Sequence, residues 1–320
     1  MNLNACPSTL QISRIDFTDF SYAVSPDRDI ILDDTFRNSI ARHGFLHPPI
    51  IRETDSGTYV IVTGRKRLFA FRSLYPEASA CCCLIIPREV PDIDVYSVLL
   101  EDIRISRQLT AVEKALLLEK ISPLVDVEYI VNEFLPRMDL PPDPFHIRQS
   151  LVLLELEEPI IHAIHRGVVH DSVARDIFSL PAADRMALFH IMTSLRLSVS
   201  YQKKLVTTCR EIASREQKNI AELLESQEAS SILNHREANP PQKTKNLMAW
   251  LSHKHMPRSS QAEAEFAGFI AAMKLPGKVT IQHTPFFEND AVTLSITFAN
   301  RKSLQDAWEE IKNAIQENDD

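Results

Sequence analysis

Apolar residues fall in short β-branched runs early in the chain and at helical spacing further on. That change of period divides the sequence. Tyr59 to Thr63 is a continuous apolar run and reads as a buried strand. Gly64 breaks it, and apolar residues then recur at Leu68, Phe71, Leu74 and Tyr75, as in a helix. Upstream, Leu10 to Ile15 alternates and predicts an edge strand. Asp33 or Asp34 caps a helix running to His43, which Gly44 ends. Ile50 to Arg52 is extended, and Asp55-Ser56-Gly57 turns the chain into the Tyr59 strand as a hairpin. A strand over Cys81 to Ile86 and a helix from Asp92 to about Arg107 complete a small α/β domain, residues 1–109.

Residues 110–224 are helical throughout. Thr110 and Glu113 have capping-box spacing ahead of an apolar stripe at Ala115, Leu116, Leu117 and Ile121. Asp126 starts a second helix with Ile130, Val131 and Phe134 inward, and Pro136 breaks it. A third helix, about 145–156, follows a proline-rich insertion. Three short helices of this kind can make a helix-turn-helix, with the third as recognition helix. Further helices are predicted at about 159–166, 171–179, 182–195 and 199–224. Residues 225–259 lack apolar periodicity, carry Pro240, Pro241 and Pro257, and read as a basic linker.

From 260 to 320 a core of its own returns. Ala262 to Met273 is amphipathic, Lys278 to His283 and Ala291 to Phe298 alternate as strands, and Ser303 caps a last helix carrying Trp308, Ile311 and Ile315. This α-β-β-α unit has more apolar surface than two strands and two helices can cover, which predicts dimerisation. The fold class is therefore α+β and multidomain.

Charge and composition narrow the classes. The chain has 320 residues, a net charge of −8 and an apolar share of 44%, so no global charge draws it to nucleic acid or acidic membranes. No run of about 18 apolar residues can span a bilayer, and the start lacks a signal-peptide layout; both point to the cytoplasm. Cys81, Cys82 and Cys83 are adjacent in a strand, where side chains alternate faces, so they cannot converge on one metal. Buried, inert thiols are expected there.

The chemistry concentrates at Gly64-Arg65-Lys66-Arg67. A strand that stops at glycine and feeds a helix leaves free N–H groups at the helix start, here beside three cations, a seat for a phosphate. A turn with merely solvated cations is the equal alternative. On the third helix His146, Arg148 and Gln149 can reach base edges, but acidic Asp139, Asp143, Glu155, Glu157 and Glu158 surround them. The stretch 196–218 is more basic, although a solvated helix face explains it better than a DNA contact.

These residues resemble the ParB partition family. Gly44-Phe-Leu-His-Pro-Pro-Ile-Ile-Arg52 is similar to its Gly-Leu-x-Gln-Pro-Ile-x-Val-Arg segment, and Gly64 to Ala70 to its Gly-Glu-Arg-Arg-x-x-Ala motif. Glu101-Asp102-Ile103 with Leu109 to Glu113 resembles its Glu-Asn-Ile…Leu-x-Pro-x-Glu element. Leu151 to Leu156, Gly167 and Ala174 echo its helical middle, and Gly277 to Ile281 with Ser295 to Phe298 its dimerisation domain. The resemblance implies a ParB/sulfiredoxin-type N-terminal domain, a helix-turn-helix middle and a C-terminal dimerisation domain. It implies a CTP-dependent DNA clamp in chromosome or plasmid partition or gene regulation, nucleoid-associated when on DNA, with a partition ATPase as a further partner. Gly64, Arg65, Lys66 and Arg67 would bind nucleotide, Glu101 and Asp102 would hold Mg²⁺, and Glu101 would serve weak CTP hydrolysis. Asp102 in place of asparagine, Arg65 in place of glutamate and His47 in place of glutamine depart from the family. One extra residue before Leu109 leaves the family's arginine open between Arg104 and Arg107. The competing readings are a nuclease or kinase relative on the same fold, or an adaptor that has lost nucleotide chemistry. The glycine–arginine loop has no cysteine, which argues against sulfiredoxin chemistry.

Overall fold

The computed structural model describes residues 6–28, 30–75, 80–273, 279–284 and 291–316. It is a mixed α+β chain, mostly helical, and its contacts divide it into two units, residues 1–206 and 207–320.

In the first unit a five-stranded sheet has the order β1-β5-β3-β4-β2, with β1 Cys6–Leu10, β2 Ile15–Asp16, β3 Ile50–Glu53, β4 Tyr59–Thr63 and β5 Cys81–Ile86. β4 is buried at every position, as its unbroken apolar run requires, because it pairs on both sides with β3 and β2. β3 and β4 form the expected hairpin, with Gly57 in a left-handed turn. The N-terminal edge differs from expectation. The edge strand is Cys6–Leu10, and Ile12–Arg14 coils as a 3-10 turn before the two-residue β2 on the opposite edge. Apolar alternation over six residues is also met by a strand end and a tight turn that bury Leu10, Ile12 and Ile15 together. Cys81 and Cys83 are buried, whereas Cys82 is exposed, which corrects the expectation that all three thiols are covered.

Four helices accompany this sheet or follow it closely: α1 Asp34–His43, α2 Arg65–Leu74, α3 Asp92–Ser106 and α4 Ala111–Ile121. Asp33, not Asp34, caps α1, accepting from the Phe36 amide at 2.7 Å. The capping box at Thr110 forms, and its Glu113 is buried and gripped bidentately by Arg107 at 2.6 and 2.7 Å. The sheet's second face, α3 and α4 share one apolar core with Ile130, Phe134, Leu135 and Ile147. Residues on both sides of 109 line this core.

The helix expected from Asp126 is α5, Val127–Tyr129, continuing as a π-turn over Ile130–Phe134 and a 3-10 turn at Pro136–Met138. α6 is Pro144–Leu151 and stops there; Val152–Glu155 tightens to 3-10, so the third helix is shorter than 145–156. α7 Glu158–His165, α8 Asp171–Phe178, α9 Ala182–Ser194 and α10 Val199–Glu216 follow.

The second unit contains the largest correction. The stretch read as a linker holds α12, Gln227–Leu233, and α13, Pro240–His255, after α11, Ile220–Leu224. Pro240 stands in the first turn of α13, which tolerates it, behind an Asn239–Gln242 capping box. Ala229, Leu247, Met248 and Leu251 are buried, and Trp250 donates to Glu228 at 3.0 Å. The tail consists of α14 Pro257–Ala272, β6 Val279–His283, β7 Val292–Ile296 and α15 Arg301–Gln316. β6 and β7 pair antiparallel, with Ile281 opposite Leu294. Lys278 and the side chains of Ile311 and Ile315, which figure in the sequence reading, lie outside the described residues.

Candidate functional site

The β4–α2 junction has the geometry its sequence predicts. Gly64 is left-handed, φ 79° and ψ 19°, and no side chain caps the helix it opens. A Cβ at this position would stand 2.9 Å from Pro49 Cβ and 3.1 Å from Arg67 Nε, so both backbone and space require glycine. The first-turn N–H groups of α2 are thus left for an anion.

The three cations differ in what they do. Arg65 donates to the carbonyls of Phe17 and Asp19 and stacks on Phe20 with its guanidinium carbon 4.4 Å from the ring centroid. It is a strut that ties α2 to the chain after β2. Lys66 is half-exposed, 3.5 Å from Asp33 Oδ2 and 4.8 Å from the Phe36 ring, and is free to turn to a ligand at small cost. Arg67 donates to the His47 carbonyl; burial pulls its pKa down, and the charge of Asp102 works the other way. So the structure brings Arg67 and Asp102 into electrostatic reach of each other.

Glu101 does not fit a metal ligand as it stands. Its carboxylate accepts from Arg137 Nε at 2.7 Å and from Arg104 at 3.2 Å, and Arg137 also donates to the Ser97 carbonyl. The Asp102 carbonyl accepts from Ser106 Oγ at 3.2 Å but its carboxylate makes no hydrogen bond among the described residues, and none of those residues form a cluster of three or more His, Cys, Asp or Glu able to hold a metal. Mg²⁺ has no protein cage here, and no step is assigned to it. The two arginines left open by the sequence separate: Arg104 pairs with Glu101 and Arg107 with the buried Glu113.

The helix-turn-helix candidates also separate. Arg148 is exposed, whereas His146 and Gln149 are half-buried and line a cavity of about 400 Å³ with Lys114, Asp171 and Arg175. Of the basic stretch 196–218, Lys203 and Lys204 are exposed, but Arg215 is spent on the carbonyls of Lys254 and His255.

Sequence reasoning missed Pro49, Arg137 and Lys114. Pro49 lies in a quoted segment, and its packing on Gly64 needs the sheet. Arg137 is 36 residues from Glu101, and no spacing rule joins them.

No protein-family model matches the chain, and no curated protein matches it. Among solved structures it is similar to the C-terminally truncated chromosome-partitioning protein ParB from Caulobacter crescentus. In the complex with the centromeric parS site the identity is 19%, over 62% of this chain and 98% of that one, with a TM-score of 0.35. In the complex with CTP-gamma-S the identity is 18%, over 60% and 97%, with a TM-score of 0.24. At those TM-scores neither likeness bears on what this chain does.

Proposed function

We propose that this chain is a ParB-like, CTP-responsive DNA-binding protein that works as a homodimer. The observation that carries the reading is the uncapped, left-handed glycine junction at Gly64, inside the segment that resembles the family's glycine–arginine motif. The N–H groups of the first turn of α2 take phosphate, Lys66 supplies the mobile charge, and Arg67 releases the His47 carbonyl to join it. Arg65 stays where it is. Asp102 faces the charge of Arg67, and Glu101 positions α3 through Arg137. DNA is met through the exposed Arg148 face of α6 and is held modestly because acidic residues flank it.

A second reading, an adaptor without nucleotide chemistry, is favoured by the engagement of Arg65, Arg67 and Glu101 with partners of this same chain. Calorimetry of the full chain with CTP, ATP, GTP and UTP, with and without DNA, separates the two. CTP binding above the other three supports the first reading. No nucleotide bound at millimolar concentration abandons it for the second.

A further inference from the structure

The cavity between α4, α6 and α8 is not part of the nucleotide junction. Lys114 extends into it from α4, His146 and Gln149 come from α6, and Arg175 comes from α8. The Lys114 ammonium is about half-buried yet makes no hydrogen bond or ion pair among the described residues. Burial lowers its pKa, and Asp139 and Asp171 offset this only through longer-range attraction. A cation drawn partly out of water without a partner carries a cost that an anion in the cavity would offset.

Its neighbours do not answer it. Asp171, the acidic group lining the cavity, is already held by Arg175 and lies 3.2 Å from His170 Nδ1. The His146 ring only meets Phe145, edge-on at 5.6 Å between centroids, and the Gln149 amide makes no hydrogen bond among the described residues. With Lys114 and Arg175 against Asp171, the lining carries one net positive charge and three unspent polar side chains. A volume of about 400 Å³ suits a small ligand.

We propose that this cavity binds a phosphate group, with Lys114 as its anchoring cation and His146 and Gln149 as hydrogen-bonding partners. The group can arrive on a free small molecule or on the backbone of DNA. Only the second route rests on the DNA-binding reading above.

The test uses the full chain in a Lys66→Ala background, so that the glycine junction contributes little. Inorganic phosphate is titrated against potassium chloride of equal ionic strength while the thermal unfolding midpoint is followed. A saturating rise is expected, and Lys114→Met, which keeps the length and apolar stem, abolishes it. His146→Phe and Gln149→Leu, which remove the other two polar groups, reduce it, and they decide the matter if Lys114→Met fails to fold. An unchanged phosphate response in the variants, or no response before substitution, overturns the proposal. Duplex DNA then separates the sources. If the group belongs to DNA, Lys114→Met lowers affinity equally for all sequences and reduces the salt slope by about one. If DNA affinity is unchanged while the phosphate response is lost, the ligand is a free small anion.

Discussion

Gly64 shows how one residue can be required twice. Its φ of 79° costs an L side chain about 1–2 kcal/mol, and Pro49 leaves a Cβ no room. Gly64→Ala is expected to lower stability by about 2 kcal/mol or more, read from the denaturant midpoint, and to weaken nucleotide binding as the turn opens. The adjacent cations make a sharper pair. Lys66→Ala removes a half-exposed, solvent-screened ion pair, so stability should hardly move while CTP affinity falls about tenfold or more. Arg67→Ala should cost both, because its guanidinium also braces the His47 carbonyl beside Pro49. Calorimetry and denaturation run on both variants check this. Equal effects on CTP with equal stability loss would make Lys66 a strut like Arg65. The sequence showed three consecutive cations; their separate roles depend on the carbonyls of Phe17, Asp19 and His47, which reach them only through the fold.

Between elements, the ion pair of Arg185 in α9 with Glu157, the residue just before α7, joins two helices. Arg185 binds the carboxylate at 2.5–3.1 Å and donates to the Leu180 carbonyl at 2.6 Å and the Phe178 carbonyl at 3.2 Å. Removing it leaves a part-buried Glu157 and two carbonyls to water, so Arg185→Ala should destabilise the chain by about 1–2 kcal/mol. The Arg185 hydrogen bond holds the Glu157 carboxyl below the usual glutamate range, against a smaller upward push from burial. A native pKa below the unfolded one means stability that is present above the unfolded value and lost as pH falls through the native one. Glu157→Gln should therefore flatten the acid side of the stability–pH curve below the usual glutamate pKa and leave its neutral-to-basic side parallel to that of the unmodified chain. The helices here were legible from their 3.6-residue period, but the pairing was not, because nothing local connects positions 157 and 185. α12 and α13 fail in the other direction. Prolines and polar residues hid them, since Pro240 in a first turn is a helix start, and the burial of Leu247 and Leu251 is visible only once α12 covers them.

For the molecule as a whole, the tail leaves apolar side chains in water. Val292 is 57% exposed, Leu294 58% and Trp308 52%. Val292, Leu294 and Ile296 share one face of β7 by strand alternation, opposite His283, Ile281 and Val279. A contiguous face of that kind fits the dimerisation proposed above, since symmetric dimers are the commonest oligomers. Light scattering of the full chain is expected to give a dimer. Leu294→Lys should give a monomer with little loss of monomer stability, because the side chain is exposed within the chain. A dimer that survives Leu294→Lys would move the interface elsewhere, and a monomer at micromolar concentration would remove the homodimer from the proposal.

Local pattern was enough for the β4 strand, the Gly64 break, the capping box at Thr110 and most helix positions. Each of these depends on neighbours within four or five residues, and chain chemistry at that range is nearly independent of context. The edge strand at Cys6–Leu10, the helices in 227–255 and the union of the sheet with α4 and α6 in one core needed the folded chain. So did the capture of Glu101 by Arg137 and the unanswered charge of Lys114. The strand, the helices and the shared core turned on which distant apolar faces packed together, and Glu101 and Lys114 on which distant side chain came within reach. Desolvation makes that choice decisive, and no sequence spacing records it.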